Sequence, residues 1–523
     1  MNSEDVKAPG EIFNYAGYLL ELNQGRAQKT AYIDDAGTLS YGDLANDVRR
    51  VAGALLAAGL RREERVLLLM HDCNDWPVAF LGAMYAGIVP VAVNTLLPAD
   101  DYRYMLQHSR ARAALVSSAL LPVLREAMQS GNHEVESVIV SRPDGDLAAS
   151  ETAFDNFMQQ AQALDQAVAT SPDDPGFWLY SSGSTGKPKG TVHTHANPYW
   201  TSELYGKGVL GITEVDVCFS AAKLFFAYGL GNALTFPLCV GASSVLLGGR
   251  PTPDVIFQRL IDHQPTLFFG APTGYVAMLA YADKPAREQL ALRLAVSAGE
   301  ALPADLAQRF SDQFGVDVID GIGSTEMLHI YISNRPGAVR LGSSGYPVPG
   351  YDIELRSDDG LAVAAGDIGD LYVRGPSAAL MYWNNRDKSR ETFQGEWTKS
   401  GDKYVLNDDG SFTCSGRSDD MLRVSGMYVS PFEVEATLVE HPAVLESAVI
   451  GKTDADGLVK TKAFVVLAED QQASAEDLQA FVKDRLAPHK YPRYIEFVDE
   501  LPKTATGKIQ RFRLREREAA AST

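Results

Sequence analysis

Short, unbroken apolar runs separated by helix-length stretches constrain this chain more than any other feature. RVLLLM (65–70), IVPVAV (88–93) and AALVSS (113–118) each have the length of a strand, without the polar/apolar alternation of a half-exposed one. A strand apolar on both faces must be covered on both, and parallel strands need a crossover between them, so the pattern predicts β-α-β units. Asn74 is placed to cap the helix after the first run, and Asp100 opens the amphipathic stretch DYRYMLQHS before the third. A second series of the same kind is expected from Phe177 to about Gln313, with strands around Phe268 and Val296. At 523 residues the chain is too long for one ordinary core, so the fold class is multidomain α/β.

From about Gly342 the texture changes to short strands with Gly/Asp turns, as in YDIELRSDDG and YVLNDDGSFTCSGR, which predicts a small β-rich subdomain. After GRSDD (416–420) it changes again. Ser430, Pro431 and Glu433 read as cap, first-turn proline and third-position glutamate ahead of FEVEATLVE, and Ser474 with Asp477 opens a helix carrying Leu478, Phe481, Val482 and Leu486 on one face. The division drawn is 1–418 for the N-terminal domain and 419–523 for the C-terminal one.

Composition excludes several function classes. Hydrophobic residues at 46% and charged residues at 22% suit a soluble globular protein. A formal charge of -20 argues against partners held by backbone-phosphate electrostatics, so neither nucleic acid nor an anionic membrane is expected. The cluster Lys503, Lys508, Arg511, Arg513 and Arg515 is a local exception that suits either phosphates or a solvated face. Cys73, Cys218, Cys239 and Cys414 have no metal-ligand or disulfide spacing, which fits a reducing cytoplasm. The start, MNSEDVKAPGE, carries no signal pattern, and Val78–Val93 is broken by Gly82, Gly87 and Pro90, short of the roughly 20 residues a spanning helix needs.

The strongest local signal is YSSGSTGKPKG (180–190), directly after the strand candidate FWLY. Glycines let backbone amides approach phosphate oxygens, Ser and Thr add hydroxyl donors, and lysine adds charge. The stretch therefore reads as a phosphate cradle rather than a flexible linker. It is not a Walker loop, because Pro188 stands where that pattern needs glycine. Two decoys are set aside. Ser184 to Lys187 matches S-x-x-K, but the companion elements of acyl-serine hydrolases are missing. Gly206, Gly208 and Gly211 match G-x-G-x-x-G, but after a helix-like run.

With SAGEALP (297–303), DGIGSTEM (320–327), GDLYVRGP (369–376), KSGDKY (399–404), GRSDDMLRVSGMYVSPFEVE (416–435) and PKTATGKIQR (502–511) following in order, the chain resembles the adenylate-forming superfamily of acyl-CoA synthetases, peptide-synthetase adenylation domains and luciferases, over nearly its whole length. The resemblance implies a large N-terminal domain of two α/β subdomains plus a small β-barrel-like subdomain, followed by a small mobile α+β C-terminal domain. It also implies a site for ATP or AMP built from Ser181, Ser182, Gly183, Ser184, Thr185, Gly186 and Lys187, with Gly299, Glu300 and Ala301 on one side of the adenine and Asp320, Gly321 and Ile322 on the other. Many relatives carry an aromatic where Ile322 stands.

Thr325 then offers a hydroxyl to the α-phosphate, and Glu326 a hard carboxylate oxygen suited to Mg2+. Asp402 corresponds to the aspartate that holds the ribose hydroxyls, Arg417 to its ribose or phosphate partner, Lys508 to the mobile catalytic lysine and Asp419 to the hinge; Ser425 and Gly426 correspond to the segment that coenzyme A approaches. An ammonium between carboxylate and α-phosphate would stabilise the charge that collects as they join.

In the same superfamily the acid pocket is shaped by KLFFAYGLGN (223–232) and GSTEMLHIY (323–331), here supplying Phe226, Ala227, Tyr228, Gly323, His329 and Ile330. Aromatic walls beside glycines suit a flat ring. His329 could donate to the carboxylate, or be a satisfied structural histidine. These segments resemble benzoate-CoA ligases. The expected reaction converts benzoate, ATP and coenzyme A into benzoyl-CoA, AMP and pyrophosphate in a cytoplasmic monomer or homodimer acting only on small molecules. The alternatives are an aryl-acid adenylating enzyme that loads a carrier protein, and a ligase that prefers hydroxybenzoate, for which Tyr228 would be the polar partner.

Overall fold

The computed structural model describes residues 6–181, 187–418, 420–424, 427–454, 458–503 and 509–521. The three apolar runs form Arg65–Leu69, Val89–Ala92 and Ala111–Ser117, with Arg65–Leu69 in the middle and both neighbours parallel to it. Val66 to Leu69 are fully buried, so removing one such side chain, as in Leu68→Ala, would cost about 2–5 kcal/mol. The crossover helix Asp75–Tyr85 is buried along nearly its whole length, as an internal helix apolar on all sides must be.

Asn74 does not cap that helix with its side chain. Its backbone N–H is donated to Asp34 Oδ2 at 2.8 Å and its side-chain amide to the carbonyl of Gly37 at 3.2 Å. The tie to the N-terminal hairpin has won over the local cap. Helix Ala99–Ser109 starts at Ala99 after Pro98, with Asp100 and Asp101 in its first turn, where their charge complements the helix dipole. The eight-stranded sheet continues through Pro175–Ser181, parallel to Val89–Ala92, and then Lys189–Thr194, antiparallel to Pro175–Ser181.

The second series forms a nine-stranded sheet in which Leu267–Gly270, Leu294–Ser297 and Val318–Gly323 are parallel neighbours. Thr30–Asp34, from the beginning of the chain, joins it alongside Ser243–Val245. Tyr32 of that strand lies in one apolar cluster with Leu68 and Phe177 of the first sheet, so a common core joins the two. The β-rich region forms a five-stranded antiparallel sheet that includes Ile368–Arg374, Trp397–Leu406 and Phe412–Arg417. Gly206 and Gly208 lie on or just after the wide helical turn Ser202–Lys207, not after a strand, which removes the dinucleotide-loop decoy.

In the C-terminal part, Val444–Thr453 and Val459–Leu467 are antiparallel and Tyr494–Phe497 adds in parallel, with Pro431–Val439 and Ala475–Lys483 closing a separate apolar cluster. Both predicted caps form: Ser430 accepts the N–H of Glu433 at 3.2 Å, and Ser474 makes a capping box with Asp477. Carboxylates of the chain itself take up part of the basic cluster. Lys503 meets Glu446 at 2.5 Å, Arg511 meets Glu435 at 2.6 Å and Arg515 meets Asp420 at 2.7 Å. Among the described residues no helix is long and apolar enough to cross a membrane.

Candidate active site

Three sheets deliver the site. Pro175–Ser181 leads into the phosphate-loop sequence and Lys189–Thr194 leads out of it, paired in register Ser181↔Lys189. Leu294–Ser297 and Val318–Gly323 end beside each other, at the carboxyl edge of parallel strands where open α/β sheets form their crevice. The five-stranded sheet contributes Asp402 and Arg417, opposite each other on neighbouring strands.

Asp402 is buried and accepts a hydrogen bond from Arg417 Nη1 at 3.0 Å, while Arg417 stays half-exposed. Gly401, with φ of 80°, makes the turn that sets Asp402; a Cβ there would stand 3.0 Å from Arg417 Nη2 and be strained by the backbone besides. Gly299 adopts φ of 96° after the strand Leu294–Ser297, and Glu300 and Ala301 follow it part-buried.

Asp320 lies opposite Ser297 in the parallel register, and burial pushes its carboxyl well above the usual range. Asp320 Oδ1, Ser297 Oγ and Ser181 Oγ are buried without hydrogen-bond partners among the described residues. Unpaired buried polar atoms are costly and rare, and Ser297 and Asp320, side by side on neighbouring parallel strands, mark a place for a polar ligand. Gly321 and Ile322 pair with Ser333 and Ile332 on the antiparallel neighbour. Lys187 lies 5.3 Å over the Tyr104 ring.

The turn that holds Thr325 and Glu326 is clamped from the strand after the phosphate loop. His193 Nε2 reaches the Thr325 carbonyl at 2.8 Å, and Lys189 Nζ stands 3.7 Å from Glu326 Oε1. The Tyr382 hydroxyl donates to the same Oε1 at 2.6 Å. Burial pushes the Glu326 carboxyl up, but Lys189, the Tyr382 hydroxyl and Arg417 outweigh it and hold the carboxyl below its ordinary value. The ionised group suits a hard cation. No cluster of three or more His, Cys, Asp or Glu side chains that could hold a metal exists among the described residues. A single carboxylate is the donor set expected where a nucleotide's phosphates supply the remaining oxygens.

Tyr228, Gly323, His329 and Ile330 come together on the acid-pocket side. Gly323 pairs with Ile330, and a Cβ on Gly323 would stand 2.5 Å from the His329 carbonyl oxygen. The His329 ring lies 4.5 Å from Phe236 and 5.6 Å from Tyr228. Its Nε2 faces two acceptors, the Tyr228 carbonyl at 3.3 Å and Asn232 Oδ1 at 3.2 Å. Nε2 therefore carries the proton. Burial drives the imidazole pKa down to about 3, so the ring is neutral and Nδ1 holds a lone pair. Its one N–H is committed inside the protein, to the Tyr228 carbonyl and Asn232.

Tyr228 donates its hydroxyl to the Val296 carbonyl at 2.9 Å. Ala227 is buried beside it, whereas Phe226 packs with Phe225 at 4.4 Å against the core shared with the first sheet. Ser182, Gly183, Ser184, Thr185, Gly186, Asp419, Ser425, Gly426 and Lys508 lie outside the described residues.

Sequence reasoning missed Lys189, His193, Tyr382 and Asp72. Lys189 was visible as the second lysine of the loop sequence. Tyr382 reaches the site only because Met381–Tyr382 pairs with Lys189–Thr194. Asp72, whose carboxyl burial pushes up to about 6, accepts the Leu224 N–H at 3.2 Å and so fixes the segment that bears Tyr228. Neither contact has a local signal.

Residues 21–383 match the AMP-binding enzyme family, and residues 433–508 its C-terminal domain. The chain is 53% identical to the benzoate-CoA ligase of Thauera aromatica over 98% of this chain and 97% of that one. It is 48% identical to the 4-hydroxybenzoate-CoA/benzoate-CoA ligase of Rhodopseudomonas palustris over 97% and 95%. Among solved structures, a benzoate CoA ligase from Burkholderia xenovorans superposes with a TM-score of 0.91 at 58% identity, covering 96% of this chain and 100% of that one. An anthranilate CoA ligase in complex with anthranoyl-AMP gives 0.94 at 42% identity, with both chains covered in full.

Proposed function

The chain belongs to the AMP-binding enzyme family, and from that premise we propose that it is an ATP-dependent ligase that converts benzoate into benzoyl-CoA by way of benzoyl-AMP. In the first half-reaction a carboxylate oxygen bonds to the α-phosphorus of ATP as pyrophosphate departs. In the second, the coenzyme A thiol gives up its proton to solvent, its sulfur bonds to the acyl carbon, and AMP departs with the electron pair of the broken C–O bond. The observation that carries this reading is an ionised Glu326 held by Lys189 and Tyr382, beside the Asp402 and Arg417 pair, in a chain alike over nearly its whole length to benzoate-CoA ligases.

Each residue has a physical task in the scheme. Asp402 accepts from the ribose hydroxyls and Arg417 meets ribose or phosphate. Thr325 donates its hydroxyl to the α-phosphate. Glu326 is the carboxylate that would hold Mg2+, which, when bound, neutralises charge on the phosphates. Lys508 brings an ammonium between carboxylate and α-phosphate in the first step. Residues 419–523 work as a body that turns about Asp419 against 1–418, so that the same crevice then receives coenzyme A past Ser425 and Gly426. Tyr228, Gly323, His329 and Ile330 form the wall against the aromatic ring, with His329 shaping it as a neutral imidazole.

The relative that acts on both 4-hydroxybenzoate and benzoate favours a second reading in which a ring hydroxyl is accepted. The Tyr228 oxygen, with its proton already given to Val296, supports it as the acceptor for that hydroxyl.

A pyrophosphate-release screen over acetate, a long-chain acid, benzoate and 4-hydroxybenzoate, with and without coenzyme A, tests both readings. Benzoate should be strongly preferred to acetate, with AMP released into solution only when coenzyme A is added. Equal rates on acetate and benzoate would overturn the pocket assignment. Turnover that requires a carrier protein instead of coenzyme A would move the enzyme to the other class. Lys508→Ala should abolish benzoyl-AMP formation while leaving AMP binding intact.

A further inference from the structure

We propose that Tyr382 is a positioning residue for Glu326: its hydroxyl, oriented by Lys189, fixes one carboxylate oxygen so that the other is presented to the cation that accompanies ATP. The inference rests on the proposed function. Nothing in the family match or in the named relatives assigns a role to Tyr382.

The geometry has one direction only. Lys189 Nζ donates to the Tyr382 oxygen at 3.2 Å, and the Tyr382 hydroxyl donates to Glu326 Oε1 at 2.6 Å. An ammonium has no lone pair and an ionised carboxylate has no proton, so the tyrosine proton must point at Glu326. Lys189 and Glu326 are themselves 3.7 Å apart, beyond hydrogen-bond length. The phenol bridges that gap. Lys189 also lies 4.4 Å over the Tyr382 ring, so the ring holds the cation from one side while the hydroxyl receives it. Both side-chain contacts, from Tyr382 and from Lys189, are made on Oε1.

The backbone makes this arrangement rigid. Tyr382 pairs with Thr191 across the antiparallel ladder, Leu380 N–H meets the Val192 carbonyl at 2.9 Å and Trp383 N–H meets the Gly190 carbonyl at 2.7 Å. The Ala379 N–H is donated to the carbonyl of Glu326 itself at 2.8 Å. The strand that leaves the phosphate loop and the turn that bears the carboxylate are thus both bonded to the five residues around Tyr382. Groups behind a metal ligand set its orientation, and their loss commonly weakens metal binding about 10- to 100-fold.

The test compares wild type, Tyr382→Phe, Glu326→Gln and the double variant of the full chain, with a thermal melt to establish folding. Mn2+-ATP binding is read by the electron paramagnetic resonance of free Mn2+, and AMP binding without metal by calorimetry. Tyr382→Phe should weaken Mn2+-ATP about 10-fold and leave AMP within about twofold, and it should add nothing in the Glu326→Gln background. Unchanged Mn2+-ATP binding, an equal loss for AMP, or additive losses in the double variant would each overturn the positioning role. Wild type that binds neither nucleotide would overturn the proposed function itself.

Discussion

Replacing Gly231 with alanine drives a methyl group into the His329 ring. The added Cβ would stand 2.3 Å from His329 Cδ2, 2.5 Å from Nε2 and 3.1 Å from Phe236 Cζ. The imidazole cannot swing away freely, because Phe236, Tyr205 and Tyr228 lie 4.5, 5.4 and 5.6 Å from it. Forcing a methyl group into such packing costs about 1–3 kcal/mol. Pulling Nε2 off the Tyr228 carbonyl and Asn232 adds about 1 kcal/mol for the lost hydrogen bond. The strain is delivered to the wall proposed for the acid, where a displacement of about 1 Å can cost on the order of 100-fold in rate. The assay is steady-state kinetics with benzoate and ATP varied separately: kcat/KM for benzoate should fall by about 100-fold, while the KM for ATP, bound by other strands, stays nearly constant. Gly274→Ala is the control, since its Cβ meets nothing within 4 Å and helix propensity favours alanine. A folded Gly231→Ala enzyme with unchanged kcat/KM for benzoate would refute the placement of His329 in that wall.

Asp402→Ala removes the acceptor between Arg417 and the ribose and should weaken AMP binding by about 10- to 100-fold, the equivalent of one charge-assisted hydrogen bond; calorimetry that finds no change would remove Asp402 from the nucleotide site. Arg511→Met strands Glu435, its buried partner at 2.6 Å, and should destabilise the C-terminal part by about 3–5 kcal/mol, read as faster limited proteolysis there; pairing it with Glu435→Leu should restore most of the resistance. Acid should destabilise the protein through His193, whose pKa burial depresses to about 4. The unfolded chain takes up that proton near pH 6.5, so the contribution is complete above 6.5 and falls by about 3 kcal/mol as pH drops from there to 4. Urea titrations at pH 7 and 5 should show a smaller acid loss in His193→Gln than in wild type, and equal losses would contradict the assignment.

What could be read in advance was whatever is encoded within a few neighbouring residues. Val66 to Leu69 had to be a strand covered on both faces, because no polar position interrupts the run. Ser430 with Glu433, and Ser474 with Asp477, had to start helices, because the hydroxyl and the amide it caps are three residues apart. The order of the motifs carried the family. Local signals failed wherever a distant group competed for the same atom. Asn74 gave its donors to Asp34 and Gly37, and Lys503, Arg511 and Arg515 of the basic cluster met Glu446, Glu435 and Asp420.

The division follows from the range of the interactions. A strand, a cap or a turn is fixed by steric preference and hydrogen bonds that close within one turn of chain, so the sequence by itself determined the β-α-β texture and the residue types available for chemistry. A proton's position and a carboxylate's charge depend on desolvation and on partners brought in by the fold. Only the tertiary structure decided that His329 is neutral and donates Nε2–H to the Tyr228 carbonyl, that Tyr382, from 56 residues away, hydrogen-bonds to Glu326, and that Asp72 secures the segment bearing Tyr228. Each joins groups far apart in sequence, and only packing between separate elements sets the distance between them.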